Sequence, residues 1–158
     1  MFHIGDKIVY PMHGAGEIVD IEEKEILGEM HRYYIMKLPV GNMKVMLPTN
    51  NAENIGIREI VDEDTADSAI DRFINCGEEG NTNWNQRYRE NIEKIKSGNL
   101  LEVAEVAKTL LLRDRKKSLS NAERKMMTNA KNILISELVL VKHKTYDEIE
   151  ALLTTEVI

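Results

Sequence analysis

The chain lacks several features that mark secreted, membrane and disulfide-stabilised proteins. It has a single cysteine, Cys76, so no internal disulfide can form. No apolar run approaches the length of a membrane span, and residues 1–6 lack the basic and apolar regions of a signal peptide. A single thiol also fits a reducing compartment. These absences predict a folded cytoplasmic protein with no membrane partner.

The residue sets on which catalysis depends are also missing. The four histidines are scattered without the spacing of metal ligands, and there is no Cys/His cluster. Gly14-Ala15-Gly16 lacks the further glycine of a dinucleotide loop and the Lys-Ser/Thr of a P-loop, so it is predicted to be a turn. No serine lies in a Gly-x-Ser-x-Gly context. We therefore expect no enzyme activity, no cofactor, no metal and no small-molecule substrate.

Charge is present, and it is unevenly distributed along the chain. The net charge of −6 conceals a basic segment, 81–144, that holds 14 Lys/Arg against 7 Asp/Glu. Residues 61–80 hold 1 Lys/Arg and 7 Asp/Glu. The basic segment could face phosphates, although helices of cytosolic proteins also carry many lysines on solvated faces.

The first sixty residues are predicted to form a small β-barrel. Short apolar segments alternate there with Gly-, Asn- and Pro-containing turns such as Pro11–Gly14, Leu27–Glu29 and Val40–Asn42. The predicted strands are Lys7–Tyr10, Gly16–Ile26, His31–Leu38, Met43–Leu47 and Ile55–Ile60. Strands this short and this closely spaced suit a strongly bent barrel of the SH3/Tudor type.

The rest of the chain is predicted to be helical, which makes the whole an α+β protein of two domains, 1–60 and 61–158. Asp64 is the predicted cap of a first helix that ends near Asn75. Further helices are predicted for Trp84–Ser97, from a cap at Asn99, from a capping box at Ser120–Glu123, and from a second box at Thr145–Glu148. Arg113–Lys117 is predicted to be a basic turn.

Trp84, the only tryptophan, lies at the start of the basic segment, and the sequence allows two interpretations of its position. Thr82 and Asn83 are good N-cap residues, and two arginines follow within five positions, which suits contact with nucleic acid. However, Trp84, Tyr88, Ile92 and Ile95 also have the spacing of a buried helical stripe. Spacing alone favours the core, because tryptophan is usually well buried.

Several ordered motifs resemble the CarD/CdnL family of bacterial transcription regulators almost from end to end. They are Gly5-Asp6-Lys7-Ile8-Val9-Tyr10-Pro11-Met12-His13-Gly14, Met46-Leu47-Pro48, Asn54-Ile55-Gly56-Ile57-Arg58-Glu59, Thr82-Asn83-Trp84-Asn85-Gln86-Arg87-Tyr88-Arg89, Ile92–Gly98, Val103–Val106, and Leu119-Ser120 followed by Glu123-Arg124-Lys125-Met126. The Asn-Trp…Arg-Tyr and Leu-Ser-x-x-Glu-Arg-Lys-Met elements are together specific.

The resemblance implies a Tudor-like N-terminal domain that binds the β subunit of RNA polymerase. Family members contact the polymerase at the positions that correspond to Lys24, Met46 and Pro48. Some members have arginine at the Met46 position, so a salt bridge there does not carry over to this chain. Pairing that is more apolar is one possibility at this position.

The resemblance also implies a helical domain that touches promoter DNA at the upstream edge of the transcription bubble and stabilises the open complex. The family tryptophan that matches Trp84 wedges into the minor groove there. Arg87, Arg89, Arg124 and Lys125 match or lie near the family's basic, DNA-facing patch. The competing hypothesis is a protein–protein adaptor whose barrel binds a partner and whose helices do not touch DNA. An exposed Trp84 favours the first hypothesis and a buried Trp84 the second.

Overall fold

A five-stranded sheet precedes five helices in the computed structural model, which describes residues 2–40, 43–51, 56–77 and 83–155. The strands are β1 (Lys7–Tyr10), β2 (Gly14–Ile26), β3 (Glu29–Lys37), β4 (Lys44–Pro48) and β5 (Arg58–Glu59), with a 3-10 turn at Thr49–Asn51. The helices are α1 (Glu63–Asn75), α2 (Trp84–Lys96), α3 (Leu100–Lys116), α4 (Asn121–Lys142) and α5 (Tyr146–Thr155). The predicted α+β class is confirmed.

The sheet is antiparallel, in the order β4-β3-β2-β1-β5. β3 begins two residues earlier than the sequence predicted, because a two-residue turn at Leu27 and Gly28 (φ +53° and +82°) lets it pair with β2 up to Ile26 and Glu29. β2 also begins two residues earlier than predicted, because Gly14-Ala15-Gly16 pairs with β1 instead of forming a turn. A register shift between Ile18 and Asp20 marks a bulge in β2. The predicted start of β5 at Ile55 lies outside the described residues, and the strand itself is only Arg58–Glu59.

Alternation along these strands gives the sheet a core of its own. Its buried members are Ile8, Ile18, Tyr34, Met36, Leu38, Leu47 and Ile57. Side chains at every second position of a strand point to the same face, which is why Met36 and Leu47 lie inside while Met46 is exposed. The outward face of β2, β3 and β4 is therefore available for contacts with another molecule.

The helix caps mostly follow the sequence, with one correction at α1. Asp62, not Asp64, is its N-cap, and the Asp62 carboxylate accepts from the Thr65 backbone N–H at 2.8 Å. Hydrogen bonds from the Thr65 side chain and from its backbone N–H lower the pKa of Asp62. Asn83 caps α2 and Asn99 caps α3, while the predicted contribution of Thr82 lies outside the described residues.

The predicted basic turn Arg113–Lys117 is wrong for most of its length. Arg113 to Lys116 form the last turn of α3, and only Lys117, the C-cap, leaves the helix. Basic side chains are favourable near the C-terminal end of a helix dipole, so the charges support the helix rather than end it. The second capping box, by contrast, is confirmed. The Thr145 N–H donates to Glu148 Oε1 and the Glu148 N–H to Thr145 Oγ1, each at 3.2 Å.

The sheet and the helices are joined at α4, by polar contacts. The Ala15 N–H donates to Ser136 Oγ at 2.8 Å, in a buried position. Gly14 packs so closely there that a Cβ would lie 2.8 Å from the same oxygen. Beside it the Arg58 guanidinium binds Glu137 in a bidentate pair, with both N–O distances 2.8 Å. We call this pair the Arg58–Glu137 link.

No group of three or more His, Cys, Asp or Glu side chains that could hold a metal ion occurs among the residues that the structure describes. In the same part of the chain, no helix is long and apolar enough to cross a membrane.

Candidate nucleic-acid and protein interfaces

Trp84 lies on the surface, at the first position of α2. Its residue surface is 41% exposed, and its ring stacks on Tyr88 with centroids 5.1 Å apart and planes 18° from parallel. Further along the same stripe, Tyr88 and Ile92 are partly buried and Ile95 is fully buried. The stripe is therefore buried at its C-terminal end and exposed at its N-terminal end. Spacing favoured a core tryptophan, and the structure shows an exposed one instead.

The start of α2 is held in place by Arg87, which makes an ion pair with Glu123 of α4. Arg87 Nε and Nη2 lie 2.9 and 3.0 Å from the two Glu123 carboxylate oxygens. The Arg87 side chain is only 12% exposed, and its bond to Glu123 raises the pKa of the guanidinium. Arg87 therefore faces α4 rather than solvent, so a role in positioning Trp84 fits its geometry better than direct contact with DNA.

This ion pair also corrects the predicted capping box at the start of α4. Ser120 Oγ accepts from the Glu123 backbone N–H at 3.2 Å, as predicted. The Glu123 side chain, however, is engaged with Arg87 instead of reaching back to the Ser120 N–H. Half of the box forms, because an interhelical guanidinium is a stronger partner for a carboxylate than a neutral N–H.

Of the other predicted basic residues, Lys125 shares a groove with Tyr88. Lys125 is exposed and lines a shallow groove together with Tyr88, Met12 and Asn129. Met12 reaches this groove from the β1–β2 turn, where it has a positive φ of +75°. Sequence reasoning missed Met12, since nothing in its neighbourhood signalled contact with the helices.

Arg89 and Arg124 are exposed, but neither shares that groove. Arg124 donates to Ser118 Oγ at 2.8 Å, and its guanidinium lies 3.8 Å from an Asp114 carboxylate oxygen. Arg89 lies five residues after Trp84, so its Cα is about 140° around the helix axis. Any DNA contact by Arg89 would thus run along the flank of α2, not through the face that carries Trp84.

The three predicted polymerase-contacting residues lie on the outward face of the sheet. Met46 pairs with Ile35, and Pro48 pairs with Tyr33 two positions along β3. Lys24 of β2 reaches the same face, where its ammonium donates to the Met46 sulfur at 3.6 Å. Met46 and Pro48 are exposed, so the structure brings all three residues onto a single accessible surface, which we call the β4 face.

Both halves of the chain match known family models. Residues 2–61 match the CarD-like/TRCF RID domain, and residues 68–154 match the CarD C-terminal domain. A Bacillus subtilis (strain 168) protein named as a candidate transcription factor, YdeB, is 42% identical over 155 residues, which cover 96% of this chain and 99% of that protein. The chain belongs to the CarD family and is a transcription-associated protein. Proteins of this class are generally not enzymes.

Proposed function

We propose that this protein binds the β subunit of RNA polymerase through residues 1–60 and touches promoter DNA through residues 61–158, and thereby stabilises the open complex. The observation that carries the proposal is the exposed Trp84 ring, stacked on Tyr88 at the start of a basic helix. It acts in the cytoplasm, where polymerase works. The adaptor hypothesis required a buried tryptophan, so the exposure of Trp84 favours the DNA-contacting function.

The geometry around Trp84 suits a wedge at the upstream edge of the bubble. Inserting an aromatic side chain costs a few kcal/mol of unstacking, and this cost is lowest where base pairing is already lost. The Tyr88 ring supports one face of the Trp84 ring, and the Arg87–Glu123 pair fixes the helix beneath it. A ring held in this way loses little conformational freedom when it meets DNA.

The overall negative charge of the chain is compatible with work on DNA. Residues 81–144 have a net charge of +7 (14 Lys/Arg less 7 Asp/Glu), so phosphates near α2 and α4 meet a positive local field. Tethering to polymerase raises the effective concentration of the helical part at the promoter. High intrinsic affinity for DNA is therefore unnecessary.

The two contacts act together only if their separation is fixed, and the Arg58–Glu137 link supports this. Arg58 lies on an edge strand of the sheet, and Glu137 lies in the C-terminal third of α4. The first turn of the same helix holds Arg87 through Glu123. The Val61 N–H also donates to Glu137, at 2.8 Å. A contact at the β4 face is thereby coupled mechanically to the position of Trp84.

A direct test combines a polymerase pulldown with promoter footprinting. The full chain should co-purify with RNA polymerase through its β subunit, and it should extend protection at the upstream edge of the bubble. Reactivity of unpaired thymines there should also persist longer after competitor is added. Binding to polymerase with unchanged footprints and unchanged thymine reactivity would favour the adaptor function instead.

Replacing Met46 by aspartate is expected to weaken binding to the β subunit by about tenfold or more. Met46 is exposed on the β4 face beside the Lys24 ammonium, so the change adds a carboxylate that would have to be desolvated together with Lys24 on binding, while the core of the sheet is undisturbed. Binding can be followed by biolayer interferometry with the isolated β subunit. Met30→Asp is the matched control, because Met30 is also exposed but lies at the far end of the β2–β3 hairpin. Equal loss in both variants would contradict the assignment of the β4 face.

Reversing Lys125 to glutamate is expected to shorten the open-complex lifetime at every promoter tested, with no change in β-subunit binding. Contacts to phosphates carry little sequence information. Each phosphate that is neutralised makes the slope of log affinity against log salt concentration steeper by about one unit. Arg89→Glu and Arg124→Glu should have smaller effects, because neither residue shares the groove with Tyr88.

Lys96→Glu is the matched control, since this exposed lysine lies about 18 Å along α2 from Trp84. A lifetime that is insensitive to Lys125→Glu would mean that this part of α4 is only a solvated surface.

A further inference from the structure

A second concave site lies on the helices, away from the aromatic pair. It is a cleft of about 380 Å³ between the end of α1, the middle of α2 and α3. Neither Trp84 nor Tyr88 lines it, and Lys125 is also absent from its walls. The DNA contacts proposed above therefore leave this cleft without a role.

The cleft is lined by cations that are only partly neutralised. Arg72 Nη1 and Lys94 Nζ both approach the Glu105 carboxylate, the latter at 3.3 Å, so two cations share one acid. Arg113 also lines the cleft, and its side chain has no ion-pair partner among residues 2–40, 43–51, 56–77 and 83–155. Arg87 lines the cleft as well, but it is paired with Glu123, which lies outside the walls. Glu90 is the only other acid on the described walls, so the remaining three cations face two carboxylates.

The same cleft also contains a buried side-chain amide. Asn91 is 8% exposed and lines the wall that α2 contributes. Within the part of the chain that the structure describes, its side-chain amide makes no hydrogen bond. Buried polar groups in proteins are nearly always hydrogen-bonded, so an unpaired amide facing a cleft indicates a position for a ligand atom.

The carbonyl groups at the C-terminal end of α1 do not neutralise the positive charge of the cleft. A helix C-terminus has a partial negative charge, but the Lys108 ammonium donates to the carbonyls of Phe73 and Ile74 at 2.6 and 2.9 Å. Burial lowers the pKa of Lys108, and the two carbonyls provide its hydrogen bonds. With those carbonyls satisfied, donors rather than acceptors dominate the cleft.

We propose that this cleft binds a small, multiply charged oxyanion of the phosphate or diphosphate class. Arg72, Lys94 and Arg113 would surround the anion, and the Asn91 amide would donate to one of its oxygens. Guanidinium groups match phosphate oxygens geometrically, and bonds to a charged acceptor are the stronger kind. We favour a free anion over a phosphate of duplex DNA, because a backbone phosphate is flanked by sugars that would keep it from an amide this deeply buried.

The test uses the full chain and inorganic pyrophosphate as the probe. Titration is followed by calorimetry, and by NMR of the Asn91 side-chain amide, which should shift saturably. Arg113→Gln should weaken binding about tenfold or more, the factor expected for one lost bond to a charged group. Arg115→Gln, which removes the same charge from the same helix but outside the cleft, should change it by less than about twofold. Melting curves of both variants check that each remains folded.

Three results would overturn the proposal. One is the absence of a saturable shift of the Asn91 amide, and another is equal weakening by Arg113→Gln and Arg115→Gln, which would indicate general charge screening. The third comes from competition: if a short duplex displaces pyrophosphate and itself shifts the Asn91 amide, the cleft belongs to the DNA surface. None of these readouts depends on polymerase, so failure here leaves the function proposed above unaffected.

Discussion

Replacing Trp84 by alanine is expected to shorten the open-complex lifetime roughly tenfold while β-subunit binding stays unchanged. Loss of one base–aromatic contact costs about 1–3 kcal/mol by analogy with single-strand stacking, and the middle of that range gives the tenfold change. Filter binding after a competitor challenge measures the lifetime directly. The effect should be common to all promoters, because a wedge acts on stacking rather than on base identity.

Stability separates this wedge from an ordinary core residue. A buried tryptophan replaced by alanine costs about 3–5 kcal/mol of folding stability. Trp84 keeps 41% of its surface exposed and rests on Tyr88, so the loss should fall well below that range. Trp84→Phe is the conservative control and should restore part of the lifetime. A large fall in melting temperature would assign Trp84 to the core, and a normal melt with normal complex decay would remove any role for it.

The sequence could predict most elements, because their signals are local. The caps at Asn83 and Asn99, and the reciprocal pair Thr145 and Glu148, were all found from their side-chain chemistry within three or four residues. The α1 cap was misplaced by two positions because Asp62 and Asp64 are both acceptable caps. Local side-chain chemistry reduces the candidate N-caps to these two residues but does not select between them.

Burial was harder to predict, because it depends on what lies opposite each helix. Trp84 and Ile95 have the same place in a helical pattern, yet one is exposed and the other buried. The difference arises because the first turn of α2 extends beyond the helical core. Arg87 shows the converse case, a charged side chain that is more buried than its local sequence indicated. A charged residue next to a tryptophan suggested contact with DNA, but Glu123, 36 residues away, provides its partner.

The link between sheet and helices could not be predicted from the sequence at all. Glu137 interrupts an apolar stretch of α4 and gave no local sign that it would be 1% exposed. Its partner Arg58 is 79 residues earlier, on a two-residue strand. Only the three-dimensional arrangement shows that a carboxylate in the helical core neutralises a guanidinium from the sheet.

Replacing Glu137 by alanine is expected to cause the largest loss of stability. Removing one partner of a buried ion pair costs about 3–5 kcal/mol, and the lower end applies here because the Arg58 side chain keeps 30% exposure. The Val61 N–H loses its acceptor as well. For a chain of this size, about 3 kcal/mol lowers the melting temperature by roughly 6–12 °C. Glu93→Ala, at an exposed position of α2, is the control and should melt nearly normally.

A double variant distinguishes the contribution of the Arg58–Glu137 link to stability from its contribution to orientation. Arg58→Met combined with Glu137→Leu leaves no unpaired buried charge, so melting should recover most of the way to that of the unmodified chain. The bidentate geometry is lost, however, and with it one of the restraints between the sheet and α4, while the Ala15–Ser136 hydrogen bond remains. We therefore expect normal β-subunit binding but a shortened open-complex lifetime. If the double variant melts normally and also sustains the open complex for the full time, the link contributes to stability alone, and the two surfaces do not need a fixed separation.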